Sequence, residues 1–197
     1  MIYYFPNIPH LLSPDSSEID KYSKDTNWVA ELKMNGSNCL LYKENNKYHF
    51  YDRHGKMLVY TPISELIQEL DNLKIQDNSI LNAELLHNKT KVTKNTLFFH
   101  CILKWDNKLY NGVTFGKQRE HLESIFNGNK YNYLILANHY KGEFKKIFKK
   151  VINNDKENLI EGLVLKNLTG KININTNSSK EVWWMIKIRK PSKNYTF

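Results

Sequence analysis

At 197 residues the chain is long enough for one sizeable hydrophobic core, and an aromatic content of 13% is ample to fill it. No apolar run approaches the roughly 20 residues that a membrane-spanning helix needs, and the N-terminus lacks the charged region and cleavage pattern of a signal peptide. These features exclude a membrane-spanning chain, and we expect a soluble, intracellular protein of the cytoplasm. Cys39 and Cys101 lie in apolar runs without Cys-x-x-Cys spacing, which predicts buried free thiols in a reducing compartment.

The formal net charge of +9 is concentrated towards the C-terminal end. Residues 141–197 carry 13 Lys/Arg against 5 Asp/Glu, a balance of +8, whereas residues 1–140 carry 16 against 15, a balance of +1. A basic C-terminal quarter is the charge distribution expected for a polyphosphate partner. A lysine-rich surface that serves only solubility has the same composition, so charge alone leaves both interpretations open.

The first elements are predicted from prolines, turns and apolar spacing. Prolines occur at positions 6, 9 and 14, and the run 13–18 is typical of a cap that leads into a short helix. Between Trp28 and Tyr60, apolar and β-prone residues alternate with turns, which predicts an antiparallel meander. Residues 62–73 carry apolar side chains at helical spacing and predict a helix.

The remaining elements follow the same two periodicities. Strands are predicted at 79–86, 96–103, 133–137, 163–166 and 182–188. Helices are predicted at 115–126 and 141–152, the second with an aromatic and aliphatic stripe opposite its lysines. Strands mixed with segregated helices, without repeats or a dividing linker, predict an α+β fold with antiparallel sheets in a single domain, 1–197.

Lys33 lies in the run Ala30–Asn38, where a strand-like entry meets the turn dipeptide Asn35-Gly36. A free lysine has a pKa of roughly 10.4 and is a poor nucleophile at neutral pH. A protein that uses one for covalent catalysis buries it or surrounds it with cations. Taken alone, a lysine before Asn-Gly is also typical of a solvated hairpin.

Further motifs follow Lys33 in a fixed order: Arg53-His54-Gly55-Lys56, Ile80–Leu86, Leu97–Leu103, Ile160–Lys166 and Trp183–Arg189. From about Trp28 to Lys190, their order and spacing resemble the covalent lysyl-nucleotidyltransferases. That superfamily comprises ATP-dependent RNA ligases, ATP-dependent DNA ligases and mRNA-capping guanylyltransferases. The similarity is greatest to an RNA ligase adenylyltransferase domain, which implies antiparallel sheets flanked by helices around a nucleotide pocket.

The resemblance implies covalent chemistry at Lys33. Its amine would attack the α-phosphate of ATP and form a lysyl-AMP phosphoramide. Lys187 and Arg189 would contact that phosphate, lower the pKa of Lys33 and stabilise the transition state. Glu161 would approach the phosphate and the divalent metal, Mg²⁺ or Mn²⁺.

The resemblance also implies a binding role for several other side chains. Glu31 would meet the adenine amino group, and Arg53 would bind the ribose or a phosphate. Glu84 matches the carboxylate that holds the ribose hydroxyl, and Phe99 falls where the family stacks an aromatic ring on the base. Asn38 is similar to the asparagine of the Lys-x-His-Gly-x-Asn variant in one RNA ligase branch.

Each motif has an ordinary structural interpretation beside the functional one. Glu84 could be an exposed edge-strand residue, Phe99 a plain core residue, and Glu161 with Gly162 a turn. The pair Trp183-Trp184 is more typical of sheet packing than of a platform for a base. His100 is more typical of a structural histidine than of a metal ligand.

The sequence departs from the family pattern at several positions. Asn35 stands where the family usually has Asp or His, and His100 follows the stacking aromatic where Asp is common. The last motif ends in Arg189 rather than lysine, which keeps the charge but not the shape. Only eight residues follow Arg189, so we expect no C-terminal OB-fold domain.

We therefore predict an ATP-dependent RNA ligase that acts on RNA or a nicked duplex containing RNA, with a partner protein that supplies a clamp. A minimal DNA ligase and a capping guanylyltransferase are the alternative enzymes, and Glu31 favours adenine over guanine. The non-enzymatic alternative is an inactive nucleic-acid-binding module that keeps the fold.

Overall fold

The computed structural model describes residues 2–191, and within this range it contains ten strands and four helices. In chain order they are β1 (Ile8–Leu12), α1 (Glu18–Lys24), β2 (Trp28–Met34), β3 (Ser37–Glu44), β4 (Lys47–Tyr51), α2 (Ser64–Asn72), β5 (Ser79–Leu86), β6 (Thr96–Trp105), β7 (Lys108–Leu109), α3 (Phe115–Phe126), β8 (Leu134–Leu136), α4 (Phe144–Asn154), β9 (Ile160–Asn167) and β10 (Glu181–Arg189). None of these helices is long and apolar enough to cross a membrane.

The strands form two sheets. Sheet one has the order β1-β10-β9-β2, and sheet two has the order β4-β3-β5-β6-β7 with β8 beside β6. All neighbouring pairs are antiparallel except β1 with β10 and β6 with β8. The predicted α+β class with antiparallel sheets is confirmed.

The predicted meander between Trp28 and Tyr60 is wrong, because β2 and β3 belong to different sheets. The Asn35-Gly36 dipeptide is the crossing between the sheets rather than a hairpin turn. The Asn35 amide donates to the Leu159 carbonyl oxygen at 2.7 Å, which ties the crossing to the chain entering β9. Gly36 lies so close to β5 that a Cβ there would be 2.6 Å from Cγ of Glu84. The crossing next to Lys33 is therefore packed against β5 of sheet two and bonded to the residue that precedes β9 of sheet one.

Helices cover the outer faces of both sheets. Helices α2 and α3 pack on sheet two over a core that includes Leu66, Leu122 and Phe99. Helices α1 and α4 pack on sheet one, where Phe144 is fully buried and the rest of the predicted α4 stripe is half-buried. With the outer faces covered, the inner faces of the two sheets are left to face each other.

Strand β1 is an element that the sequence did not predict. Pro9 removes a backbone donor, and a proline inside a strand is tolerated mainly at a sheet edge, which is where β1 lies. The register between β1 and β10 shifts between Pro9 and His10, so that three residues of β10 have no β1 partner. Within this irregular stretch Trp183 is exposed, whereas Trp184 is buried against Gly170. The packing role predicted for the tryptophan pair therefore applies to Trp184.

Candidate active site

A cavity of about 640 Å³ lies between the inner faces of the two sheets. Sheet one contributes the predicted residues Glu31, Lys33, Glu161, Lys187 and Arg189, and sheet two contributes Asn38 and Glu84. Arg53 lines the mouth. The volume is within the range typical of small-molecule sites, roughly 300–1,000 Å³.

Strand pairing brings Lys33 and Arg189 to the same point. Both residues lie opposite Gly162 of β9, Lys33 across the β2 pairing and Arg189 across the β10 pairing. A Cβ at residue 162 would lie 1.9 Å from the Ile188 carbonyl oxygen, so only glycine allows β10 to approach this closely. The residue next to this glycine, Glu161, then presents its carboxylate between the two cations.

The Lys33 ammonium donates a hydrogen bond to Oε2 of Glu161. One guanidinium nitrogen of Arg189 is 3.7 Å from the same oxygen. The Lys33 and Glu161 side chains keep 24% and 18% of their surface exposed, so both remain accessible from the cavity. Glu161 lies in β9, so the turn considered as an alternative is wrong. Lys187 forms no salt bridge among residues 2–191.

Glu84 projects into the cavity from β5, which lies between β3 and β6 and is not an edge strand. Its Oε1 accepts a hydrogen bond from the Gly36 amide at 3.1 Å. Burial raises the pKa of Glu84 to about 7, and the negative charge of Glu161 acts in the same direction. The cations of Lys33 and Lys89 oppose this rise.

Glu31 lies in the cavity wall, where three basic side chains surround its carboxylate. Lys166 Nζ is 2.6 Å from Oε2, and His139 Nε2 is 3.0 Å from Oε1. A guanidinium nitrogen of Arg119 is 3.9 Å from Oε1. Burial acts to raise the pKa of Glu31, but Lys166 and His139 outweigh it and hold the pKa at about 2. The carboxylate predicted to meet adenine therefore already has a protein partner at each oxygen.

The structure places Phe99 away from the cavity, contrary to its predicted stacking role. Phe99 is fully buried in the core outside sheet two, where its ring contacts Phe126. Successive residues of a strand point to opposite faces, and the neighbouring Phe98 lines the cavity opposite Glu84. The strand predicted to border the nucleotide does line the cavity, but through Phe98 rather than Phe99.

A β-bulge in β6 turns two further residues towards the cavity. Asn82 pairs with Cys101 and Ala83 with Phe99, so His100 is the extra residue. His100 and Cys101 both line the cavity as a result. Burial lowers the pKa of His100 to about 3, with Lys166 adding to the effect, so its imidazole is neutral at physiological pH. Cys39 and Cys101 are both free thiols as predicted, but only Cys39 is buried and Cys101 is half-buried.

Two amide side chains form part of the wall of sheet two. Asn38 Nδ2 donates to Oδ1 of Asn82 at 2.9 Å. The Oδ1 of Asn38 is buried and has no hydrogen-bond partner among the described residues. Buried polar atoms are normally paired, so this oxygen keeps an unused capacity to accept a hydrogen bond.

Lys89 is a cavity residue that the sequence analysis did not identify. It lies in the loop after β5, and its ammonium donates to the Gly36 carbonyl oxygen beside Lys33. No motif marks this position, because the loop is simply rich in lysine and polar residues. Arg53 at the mouth is exposed, and its Nε donates to His54 Nε2 at 3.1 Å.

Comparison with known proteins identifies a sequence family and similar folds. The sequence model of the RNA ligase family matches residues 26–182. No curated protein matches the chain closely in sequence.

Among solved structures, mycobacterial DNA ligase D complexed with ATP and MES is similar at a TM-score of 0.62 and 15% identity, over 82% of this chain and 54% of that one. The ligase domain of M. tuberculosis LigD is similar at 0.60 and 14%, over 92% and 59%. A Lig E DNA ligase is similar at 0.60 and 8%, over 94% and 68%. The chain thus has the ligase nucleotidyltransferase fold and spans little more than half of the first two structures.

Proposed function

Because the chain belongs to the RNA ligase family, we propose that it is an ATP-dependent RNA ligase that forms a lysyl-AMP intermediate at Lys33. The observation that carries this proposal is the position of the Lys33 amine. It projects into a nucleotide-sized cavity and contacts the carboxylate of Glu161, which also lies 3.7 Å from Arg189. Lys187 lines the same cavity. ATP-dependent ligase chemistry requires a nucleophilic amine and cations at such a position.

In the first step, Lys33 Nζ attacks the α-phosphorus of ATP. A P–N bond forms, the P–O bond to the β-phosphate breaks, and pyrophosphate leaves. The amine must lose a proton, and the Glu161 carboxylate that already contacts it can accept one. Arg189 and Lys187 offset the negative charge that develops on the phosphate oxygens.

The following steps return the amine to its starting state. A 5′-phosphate oxygen of the nucleic acid attacks the same phosphorus, the P–N bond breaks, and AMP is carried by the strand end. A 3′-hydroxyl then attacks the 5′-phosphate, and AMP leaves as the strands join. All three steps transfer a phosphoryl-type group, so positioning and charge neutralisation matter more than acid–base strength.

The other cavity residues fit a bound nucleoside. Glu84 would accept hydrogen bonds from the ribose hydroxyls, and Phe98, rather than Phe99, would lie against the base. The Oδ1 of Asn38, which has no partner within residues 2–191, would accept a hydrogen bond. Glu31 was predicted to meet adenine, but its two oxygens are bonded to His139 and Lys166, so it would shape the wall beside the base instead. Arg53 would meet a phosphate at the mouth.

A divalent cation, Mg²⁺ or Mn²⁺, fits this site only together with the phosphates of the nucleotide. Among residues 2–191 no group of three or more His, Cys, Asp or Glu side chains could hold a metal ion. Mg²⁺ in phosphoryl-transfer sites is commonly held by one or two carboxylates plus substrate phosphates, and Glu161 can be such a carboxylate. When bound, the cation would neutralise phosphate charge.

RNA is the proposed substrate because the matching family is that of RNA ligases. The alternative is DNA, since the similar solved structures are described as DNA ligases. Sealing of pre-adenylated RNA and all-DNA nicks under the same conditions separates the two. Faster sealing of RNA supports the proposal, and equal or faster sealing of DNA contradicts the RNA assignment but not the lysine chemistry.

Covalent labelling tests the chemistry directly. We expect α-labelled ATP with Mg²⁺ to label the chain on denaturing electrophoresis, and Lys33→Ala to abolish the label. Lys149→Ala, at an exposed lysine of α4, is the matched control and should label normally. Label that survives Lys33→Ala contradicts the mechanism, label from GTP alone indicates a capping enzyme, and no label from either indicates an inactive binding module.

A further inference from the structure

Two loops meet at the mouth of the cavity and form one surface, which we call the mouth ridge. It consists of residues 52–60, between β4 and α2, and residues 87–95, between β5 and β6. The Tyr60 ring lies edge-on to His87 with centroids 5.0 Å apart, and the Tyr60 hydroxyl is 3.2 Å from Oδ1 of Asn95. The loops are therefore joined to each other.

Internal hydrogen bonds give the first loop of the mouth ridge a defined shape. The Asp52 carboxylate accepts the amides of His54 and Lys56 at 2.8 and 2.9 Å. The Tyr3 hydroxyl donates to the Asp52 carbonyl oxygen at 2.7 Å, which ties the loop to the N-terminal segment. Gly55 has φ +81° and faces the Tyr3 ring, so the turn favours glycine at this point.

The second loop is fixed from within. Thr90 is buried, and its hydroxyl donates to the Thr93 carbonyl oxygen. The Lys94 ammonium donates to the carbonyl oxygens of His87 and Thr90 and so closes the loop. Both loops therefore hold their exposed side chains on a defined backbone.

The mouth ridge is strongly basic. It carries five Lys/Arg residues and a single acidic residue, the internally bonded Asp52. Within the described part of the chain none of these cations forms a salt bridge, and all five are exposed: Arg53, Lys56, Lys89, Lys91 and Lys94. Exposed Met57, Val59 and Val92 lie between them. Cations interleaved with apolar side chains match a strand that offers phosphates and bases.

The lysines of α4 provide a contrast. Two of the four helix lysines are already paired, Lys145 with Asp20 and Lys146 with Glu143. Helix α4 packs on the face of sheet one that holds Leu163 and Ile188, whereas the cavity lies on the opposite face. This part of the basic C-terminal quarter therefore points away from the site.

We propose that the mouth ridge binds the phosphate backbone of the nucleic-acid strand whose end enters the cavity. The inference rests on the proposed function for the identity of the strand. Arg53 and Lys89 carry it, because both belong to the ridge and also line the cavity. A strand bound on the ridge can therefore extend into the cavity that also holds Lys33. An anionic membrane surface could bind the same side chains, but it could not extend from the ridge into the cavity as a strand end can.

The test compares two double variants that each remove two exposed lysines. Lys56→Ala with Lys91→Ala alters the ridge without touching the cavity wall, and Lys149→Ala with Lys150→Ala is the matched control on α4. The probe is a fluorescein-labelled single-stranded oligoribonucleotide of mixed sequence, titrated at several KCl concentrations. We expect the ridge variant to lower the slope of log affinity against log salt by about 1.4, the value for two lost phosphate contacts, and the control to leave it unchanged.

Equal slopes for the ridge variant and the wild type, or loss of slope in the α4 variant instead, would overturn the proposal. So would unchanged oligoribonucleotide binding combined with lost binding to phosphatidylserine vesicles. Self-adenylation by labelled ATP is measured in parallel and should be equal in all three proteins. A wild type that fails to self-adenylate contradicts the proposed function, whereas the salt slopes still decide whether the ridge binds the strand.

Discussion

Two charged clusters line the cavity on β2, one centred on Lys33 and the other on Glu31. They differ in how much of their side chains is exposed. Around Lys33, one carboxylate meets two cations, and the Lys33 and Glu161 side chains keep 24% and 18% of their surface exposed. Around Glu31, one carboxylate meets Lys166 and His139, and the Glu31 and Lys166 side chains keep only 3% each. The first cluster is open to a ligand, and the second is sealed into the wall.

The difference in exposure suits the Glu31 cluster to a structural role and the Lys33 cluster to a reactive one. A buried charge is tolerated only when it is paired and hydrogen-bonded, so the Glu31 cluster is committed to its own partners. The Lys33 cluster can exchange partners, because a phosphate can replace Glu161 beside the cations. The closed cluster fixes the β2 backbone, and the open cluster two residues further along β2 is free to react.

The largest expected effect comes from breaking the closed cluster. Glu31→Ala leaves Lys166 buried without its carboxylate, and loss of one partner of a buried pair typically costs about 3–5 kcal/mol. Urea unfolding measures the loss of stability. Asp20→Ala, which removes the exposed partner of Lys145, is the control and should cost at most about 1 kcal/mol. A comparable cost for both variants would show that burial does not distinguish the pairs.

The open cluster should show the reverse pattern, with activity lost and stability kept. Glu161→Ala and Lys187→Ala should each lower self-adenylation by about 10²–10³-fold, the typical effect of removing a proton acceptor in the first case and a cation that offsets transition-state charge in the second. Labelling rates measure this effect, and circular dichroism should report folded proteins. Glu157→Ala, an exposed carboxylate just before β9, is the control. Unfolding of Glu161→Ala or Lys187→Ala would instead support a structural role.

The sequence predicted the elements well because periodicity is a local property. The predicted strand at 79–86 and helix at 115–126 match β5 and α3 as observed. Spacings of 2 and 3.6 residues report which side chains of one element share a face, and this does not depend on the neighbouring element.

The predictions from sequence failed where sheet membership or the direction of a side chain depends on pairing between distant strands. Nothing near Asn35 shows that β2 pairs with β9 rather than β3. Whether Phe98 or Phe99 faces the cavity depends on the partner strand, and the bulge at His100 adds a further change of face. Lys89 belongs to the cavity wall because the fold brings it to Gly36, which lies 53 residues earlier in the chain.

The two cavity carboxylates should also differ in the pH dependence of stability. Burial raises the pKa of Glu84 from 4.5 to about 7, so the stability that its protonated form provides is lost as the pH rises through about 7. The pKa of Glu31 is lowered from 4.5 to about 2. The stability that its ionised form provides is therefore lost only as the pH falls towards about 2.

Urea midpoints measured between about pH 5 and about pH 8 test this difference. The wild type should lose stability over this interval relative to Glu84→Gln, because the variant has no carboxyl group to ionise. Parallel curves for the two proteins would mean that Glu84 is already ionised at the lower pH. Glu84→Gln should not change how the urea midpoint falls at acid pH, because that fall reflects the protonation of Glu31.

The smallest expected effect is that of Arg189→Lys in the open cluster. The Arg189 guanidinium is 3.7 Å from Glu161, which is too long for the two short parallel bonds of a bidentate pair. If Arg189 mainly supplies positive charge near the phosphate, lysine can replace it, and self-adenylation should stay within about threefold of the wild type, or roughly 0.7 kcal/mol. Arg189→Ala is the reference and should lose about tenfold or more. Equal losses in the lysine and alanine variants would show that the planar guanidinium itself is required, and the open cluster would then depend on shape as well as on charge.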